Sequence, residues 1–114
     1  MTEEQFRSLA LSFPETAEAS HMCHPDFRVG GKIFATLWPE PGWAMVKLTP
    51  EQQESFVQSD PKVFAPVKGA WGRAGCTSVQ LKAAKKSTLR TALFLAWRGR
   101  APKRLVEQFD LNSK

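Results

Sequence analysis

Apolar residues recur along this chain with helical spacing in some segments and with strand-like alternation in others. Near the start, four apolar residues share the spacing i, i+3, i+4 and i+7 of one helical face: Phe6, Leu9, Ala10 and Phe13. Thr2 and Gln5 have the spacing of a capping box, and Pro14 prevents the helix from continuing. The chain is therefore predicted to begin with an amphipathic helix that ends before Pro14.

The next segment predicts three strands joined by tight turns. Strand-forming or apolar residues flank a pair of glycines: Phe27, Val29, Ile33, Ala35 and Leu37. Gly30 and Gly31 can supply the positive φ angles of a two-residue hairpin. The sequence WPEPG at 38–42 predicts a second turn, and WAMVKL at 43–48 a third strand.

The second half returns to helical patterns on either side of one clear strand. Thr49, Pro50 and Gln52 predict a capped helix that runs to about Gln58, and residues 59–75 are turn-rich and irregular. Residues 77–82 alternate apolar and polar side chains, as in a strand with one solvated face. A long final helix carries its apolar residues on one side: Leu89, Ala92, Leu93, Ala96 and Trp97. Gly99 and Pro102 break it before a short helix that includes residues 105–109.

These elements predict an α+β fold with a single antiparallel sheet and helices on one face. The order is α-β(3)-α-β(2)-α, followed by a short C-terminal helix. The 114 residues suit one domain, 1–114. No apolar run approaches the roughly 20 residues that span a bilayer, and the acidic start does not resemble a secretory signal. We expect a cytoplasmic monomer with Cys23 and Cys76 reduced.

Charge is distributed unevenly between the two halves of the chain. Residues 1–60 contain four basic and nine acidic side chains, a net charge of −5, whereas residues 61–114 contain twelve basic and two acidic ones, a net charge of +10. Such asymmetry favours nucleic acid or another polyanion as a partner. The alternative is that the two halves neutralise each other where they pack.

The sequence HMCH at 21–24 has the composition of a metal site or of a thiol catalyst. In a strand, however, His21 and Cys23 share a face while His24 points to the opposite one. The paired spacings of structural zinc sites are absent, and His24 is badly placed as a base for Cys23. We therefore expect a partly buried strand edge, with no metal and no cofactor. Because GxSxG, Walker and GxGxxG motifs are also absent, we expect no enzyme.

The basic half contains better candidates for a binding site. Lys82, Lys85 and Lys86 lie where the last long helix begins, a position at which cations oppose the helix dipole and could hold an external anion. Screening by solvent is the simpler explanation. Trp71 and Arg73 lie on the glycine-rich sequence GAWGRAG; Arg73 is expected in solvent. Trp71 is expected to cover the core, although an exposed tip that stacks on a base is the alternative.

Four passages of the sequence resemble the MmcQ/YjbR family: HPDFRVGGKIFATL at 24–37, VKLTPEQ at 46–52, AWGRAGCTSVQL at 70–81 and TLRTALFLAWRGRAPKRL at 88–105. The resemblance extends from about Glu4 to Phe109. It implies the same α-β(3)-α-β(2)-α order, similar to frataxin-like and secretion chaperone-like folds. Members are commonly described as DNA-binding proteins with a double-wing motif. The wings would correspond here to the Gly30–Gly31 hairpin, with Arg28 and Lys32, and to the loop 71–73. No catalytic residues are established for the family.

The leading hypothesis is a small non-enzymatic protein that binds DNA, largely through phosphates. Its candidate contacts are basic residues and one tryptophan: Arg28, Lys32, Lys68, Trp71, Arg73, Lys82, Lys85, Lys86, Arg98, Arg100, Lys103 and Arg104. One alternative is a protein-interaction module that uses the open sheet face or edge. Another is a small-ligand site on the sheet with Trp38, Trp43 and Trp71 as its walls.

Overall fold

The computed structural model describes the backbone of residues 1–21 and 24–112 and the side chains of residues 1–20 and 24–109. Its helices are α1 (Glu3–Leu11), α2 (Pro50–Ser59), α3 (Ala70–Arg73), α4 (Lys86–Arg100) and α5 (Lys103–Asn112). Its strands are β1 (Ala17–His21), β2 (His24–Val29), β3 (Lys32–Leu37), β4 (Trp43–Lys47), β5 (Phe64–Pro66) and β6 (Cys76–Gln80). None of the helices in this described part combines the length and apolar character needed to cross a membrane.

The strands form one antiparallel sheet in the order β1-β2-β3-β4-β6-β5, which confirms the predicted α+β class. The sheet has one strand more than the predicted order, because β1 pairs with β2 at one edge. The strand β5 at the other edge lies in the segment that was predicted to be irregular. It is only three residues long, too short for an alternating pattern to reveal it.

Alternation along the strands separates the two faces of the sheet. One face forms the core, with rows of paired residues such as Leu37, Ala44 and Val79. A bulge opposite Arg28 lets the consecutive residues Phe34 and Ala35 both be fully buried. The other face carries the intervening side chains, and this open face positions the candidate site.

Helices α1, α2 and α4 form for the reasons that their patterns predicted, and α1 and α4 contribute buried residues to the core. Both predicted capping boxes are present, at Thr2 with Gln5 and at Thr49 with Gln52. The buried residues of α4 are the five that the helical spacing indicated: Leu89, Ala92, Leu93, Ala96 and Trp97. Trp97 also donates its indole N–H to the carbonyl of Pro14 at 3.0 Å, so α4 is tied to the end of α1.

The sheet has two chemically different ends. At the hairpin end, Gly30 and Gly31 have φ angles of +59° and +77°, as a tight two-residue hairpin requires, and Lys47 pairs with Cys76. At the far end, Trp43 pairs with Gln80. Helix α4 runs from the far end to the hairpin end, and its 15 residues separate its termini by about 22 Å.

Candidate binding site at the hairpin end and on the open sheet face

The basic candidate residues form two groups, one at each end of α4. Lys82, Lys85 and Lys86 are exposed at the far end, where the backbone amide of Leu81 donates to the carbonyl of Gly42 at 2.9 Å. Helix α4 begins there as predicted, without a side-chain cap. The length of α4, about 22 Å, keeps this group of lysines apart from the other basic candidates.

The remaining nine candidates collect at the hairpin end. Lys47 links the parts of this end, because its Nζ donates to the carbonyl of Ala74 just after α3. The chain after α4 returns to the hairpin, since a Cβ on Gly30 would lie 3.2 Å from the Pro102 ring. We call this group the basic end; its members are Arg28, Lys32, Lys68, Trp71, Arg73, Arg98, Arg100, Lys103 and Arg104.

Two arginines of the basic end are neutralised by carboxylates. Arg28 forms a bidentate pair with the fully buried Asp26 at 2.7 and 3.1 Å, and this hydrogen-bonded pairing raises the pKa of Arg28. Arg104 pairs with Glu15 through two bonds of 3.2 Å, which lowers the pKa of that carboxyl. Arg28, whose partner is fully buried, is therefore a poorer phosphate contact than the sequence-based prediction assumed, whereas the Arg104–Glu15 pair is exposed and weak.

Four cations of the basic end are exposed and form no ion pair within the described part of the chain: Lys32, Lys68, Arg73 and Lys103. Lys68 lies just before α3, Arg73 is the last residue of α3, and Lys32 directly follows the hairpin turn. Lysine and arginine side chains in solvent with no carboxylate partner keep their charge available for an external anion. These four residues are the strongest phosphate contacts among the predicted set.

Trp71 lies in α3 and is 72% exposed, so the prediction that it covers the core was wrong. The reason is that the opposite face of α3 packs against other parts of the chain. A Cβ on Gly72 would lie only 1.6 Å from the carbonyl oxygen of Val67, so this face of α3 packs directly on backbone. The buried amide of Gln53 donates to the carbonyls of Gly72 at 3.0 Å and Cys76 at 2.9 Å. With that face occupied, the indole of Trp71 is left at the surface.

The open face contains a cavity of about 350 Å³ next to the basic end. Its apolar walls are Ile33, Trp38, Met45, Val67 and Trp71. Trp43, proposed from the sequence as a third tryptophan wall, is partly exposed but does not line the cavity. The two other tryptophans do line it, one from the end of β3 and one from α3.

The polar residues of the cavity were mostly missed in the sequence: His24, Thr36, Lys47, Cys76 and Arg100. Only Arg100 was a predicted contact. Strand alternation is the signal that could have found the others, because Thr36 lies between the core residues Ala35 and Leu37, and Lys47 follows Val46. Side chains between core positions must face the open side.

Two residues that line this cavity each have a buried polar atom without a hydrogen-bond partner among the described residues. These atoms are Oγ1 of Thr36, a residue that is only 4% exposed, and Nε of Arg100. Lys47, by contrast, uses its Nζ for the carbonyls of Leu48 at 3.0 Å and Ala74 at 2.7 Å. The cavity therefore combines apolar walls with a hydroxyl and two cations.

Cys76 is a buried, free thiol in the cavity wall. Burial raises its pKa, while the charges of Lys47 and Arg100 act in the opposite direction. The raised pKa keeps the thiol protonated near neutral pH, which is the state of an unreactive structural cysteine.

The HMCH motif falls only partly within the described residues, since Met22 and Cys23 lie outside them. His24 is buried on the open face, with its ring centroid 6.0 Å from that of Trp38. Across the side chains that the structure describes, no group of three metal-ligating residues occurs.

Comparison with known proteins settles the family. The model of the YjbR family matches residues 11–99. The chain belongs to the YjbR family. A crystal structure of Deinococcus radiodurans protein DR2400, described as a DUF419 domain, is similar with a TM-score of 0.74. The match has 20% sequence identity and covers 90% of this chain and 80% of that one, so it supports the YjbR fold and not a function. No curated protein matches the sequence.

Proposed function

We propose that this YjbR-family protein binds DNA through its basic end and carries out no catalysis. The observation that carries the proposal is the exposed Trp71 at one end of the sheet, beside exposed cations that form no ion pair with the described residues. Lysine and arginine side chains bind phosphates and release counterions, which gives affinity without sequence preference. An exposed tryptophan beside them offers a surface on which a base can stack or a wedge for a groove.

The absence of a catalytic step in this proposal is supported by the chemistry of the site. The buried thiol that lines the neighbouring cavity, Cys76, has a pKa raised by burial, whereas a nucleophilic cysteine needs a lowered one. Arg28 and Arg104, which could polarise a reacting group, are engaged by Asp26 and Glu15. The other charged groups of the basic end are lysine and arginine side chains, which bind anions such as phosphate.

The test is the salt dependence of binding to a short DNA duplex and to a single strand of the same length. Four phosphate contacts predict a slope of about −3.6 for log K against log salt on duplex. Changing Lys68, Arg73 and Lys103 together to Gln should flatten that slope by up to about 2.7. The Trp71→Ala variant should bind more weakly with an unchanged slope, because stacking releases no counterions.

The far-end lysines provide a charge-matched control. The triple variant of Lys82, Lys85 and Lys86 to Gln removes the same net charge, yet we expect a much smaller change in slope because these residues lie about 22 Å away along α4. Circular dichroism of each variant confirms folding. A parental slope near zero, or equal effects of the two triple variants, would contradict the proposal and favour a protein partner instead.

A further inference from the structure

Apart from Trp71 and Arg100, the residues that line the cavity on the open sheet face take no part in the proposed DNA binding. Its volume of about 350 Å³ lies at the lower end of the range of small-molecule sites, roughly 300–1,000 Å³. Trp38 and Trp71 line it from two different elements, and aliphatic side chains complete the apolar wall. Such walls suit a flat or compact apolar body.

The cavity also contains polar groups that a wholly apolar ligand would leave unused. Thr36 is nine-tenths buried or more, and its Oγ1 has no hydrogen-bond partner among the described residues. The Nε atom of Arg100 likewise has no hydrogen-bond partner among the described residues. A buried polar atom without a partner costs free energy that a ligand recovers when it supplies one. Both atoms therefore favour a ligand with hydrogen-bonding groups.

The charge at one side of the cavity defines the polar group that it would accept. Arg100 and Lys47 both line the cavity, and both act electrostatically on Cys76 in its wall. Two of the three Nζ protons of Lys47 are already bound by backbone carbonyls, so Arg100 has most of the free donor capacity. A planar guanidinium binds a carboxylate through two parallel hydrogen bonds, and one largely free cation matches a monoanion better than a phosphate dianion.

We infer that this cavity binds a small organic carboxylate with an apolar, preferably aromatic, body. The carboxylate contacts Arg100 and the remaining proton of Lys47, the body lies between Trp38 and Trp71, and a polar substituent on the body bonds Thr36. This inference shares Trp71 and Arg100 with the basic end but does not require DNA binding, because it uses none of the four exposed cations.

The experiment uses 2-naphthoate, its neutral amide 2-naphthamide, and 6-hydroxy-2-naphthoate as probes, with affinities measured by calorimetry on the full chain. We expect 2-naphthoate to bind with one site per chain. The amide should bind about tenfold to a hundredfold more weakly, as expected for the loss of a hydrogen-bonded charge. Arg100→Gln should abolish the preference for the carboxylate over the amide, whereas Lys82→Gln, which removes the same charge at the far end, should preserve it.

A second variant tests the buried hydroxyl. Thr36→Val keeps the side-chain shape, so the fold is retained. It should weaken the binding of 6-hydroxy-2-naphthoate about tenfold relative to that of 2-naphthoate. Heteronuclear NMR should show shifts at the indole groups of Trp38 and Trp71 on binding. The inference is overturned if neither carboxylate binds up to millimolar concentration, if acid and amide bind equally to the parent, or if Arg100→Gln retains the parental preference.

Discussion

Gln53 is the residue whose replacement best tests how the fold positions Trp71. Its side chain is buried, and its Nε2 donates both protons across the chain, to the carbonyls of Gly72 and Cys76. It therefore connects α2 with α3 and with the start of β6. Gln53→Leu removes both bonds while keeping a side chain of similar size in the same place.

The expected loss of stability follows from the hydrogen bonds that the two carbonyls still accept in the variant. The carbonyl of Cys76 also accepts from the amide of Val67 at 3.0 Å, and that of Gly72 from the amide of Gly75 at 3.0 Å. Neither is left without a donor, so the loss is the net value of two hydrogen bonds, about 1–3 kcal/mol. With a urea slope of about 2 kcal/mol per M, a loss of about 2 kcal/mol lowers the midpoint by about 1 M.

Urea denaturation and amide hydrogen exchange provide the assay. The variant should unfold at lower urea, and the amides of Arg73 and Ala74, which form the hydrogen bonds of α3, should exchange faster than in the parent. Gln58→Leu is the matched control, because Gln58 lies on the same helix but is exposed and bonds only Glu54. It should change stability by no more than about 0.5 kcal/mol.

The reasoning about Gln53 has a second, pH-dependent consequence. Gln53→Glu places a carboxyl against two carbonyl oxygens in a buried position, which raises its pKa in the folded state. Its stability should therefore be highest below the ordinary pKa of Glu and fall as the pH rises through the raised value. An unchanged midpoint in Gln53→Leu, unchanged exchange in α3, or a Gln53→Glu variant with the opposite pH trend would refute the proposed role.

Two further predictions concern the same region. Gly72→Ala should destabilise the protein by more than about 2 kcal/mol, because the new Cβ would overlap the carbonyl of Val67. Gly99→Ala should be neutral or stabilising, because its new Cβ would have no neighbour within 4 Å beyond the adjacent backbone of its own helix. Comparable midpoints of the two variants in thermal unfolding would contradict this. Cys76 should react slowly with a thiol reagent in the native state, and two thiols per chain should react after denaturation without reductant. Stability should fall as the pH rises above the ordinary thiol pKa, because the raised pKa of Cys76 in the folded state disfavours its thiolate. Fast labelling of the native protein, or stability that does not change at alkaline pH in titrations monitored by circular dichroism, would argue against this.

Local patterns in the sequence were sufficient for most of the secondary structure. The capping boxes at Thr2 and Thr49 and the glycine pair at 30–31 involve only residues close together in the sequence. The helix starts and the turn that they form therefore depend little on the rest of the chain. The apolar face of α4 was likewise correct, because a helix of 15 residues must bury its only continuous apolar side.

Elements that depend on distant partners were harder to predict. The strand β5 exists because its three residues pair with β6, and β1 exists because residues 17–21 pair with β2. Neither segment has a decisive pattern of its own. Trp71 was assigned to the core on general grounds, but the close packing of Gly72 on Val67 and the amide of Gln53 leave its side chain outside.

The amino-acid sequence by itself determined the fold class, the family and the presence of a strongly basic half. Tertiary structure alone decided where that charge lies, because α4 carries one group of lysines to the far end and another group of cations to the hairpin end. It alone also placed Arg28 beside Asp26 and gathered Thr36, Lys47 and Arg100 around one cavity. Periodicity indicates which side of an element is buried, whereas charge pairing and cavities arise between residues far apart in the chain, and those contacts exist only once the sheet has formed.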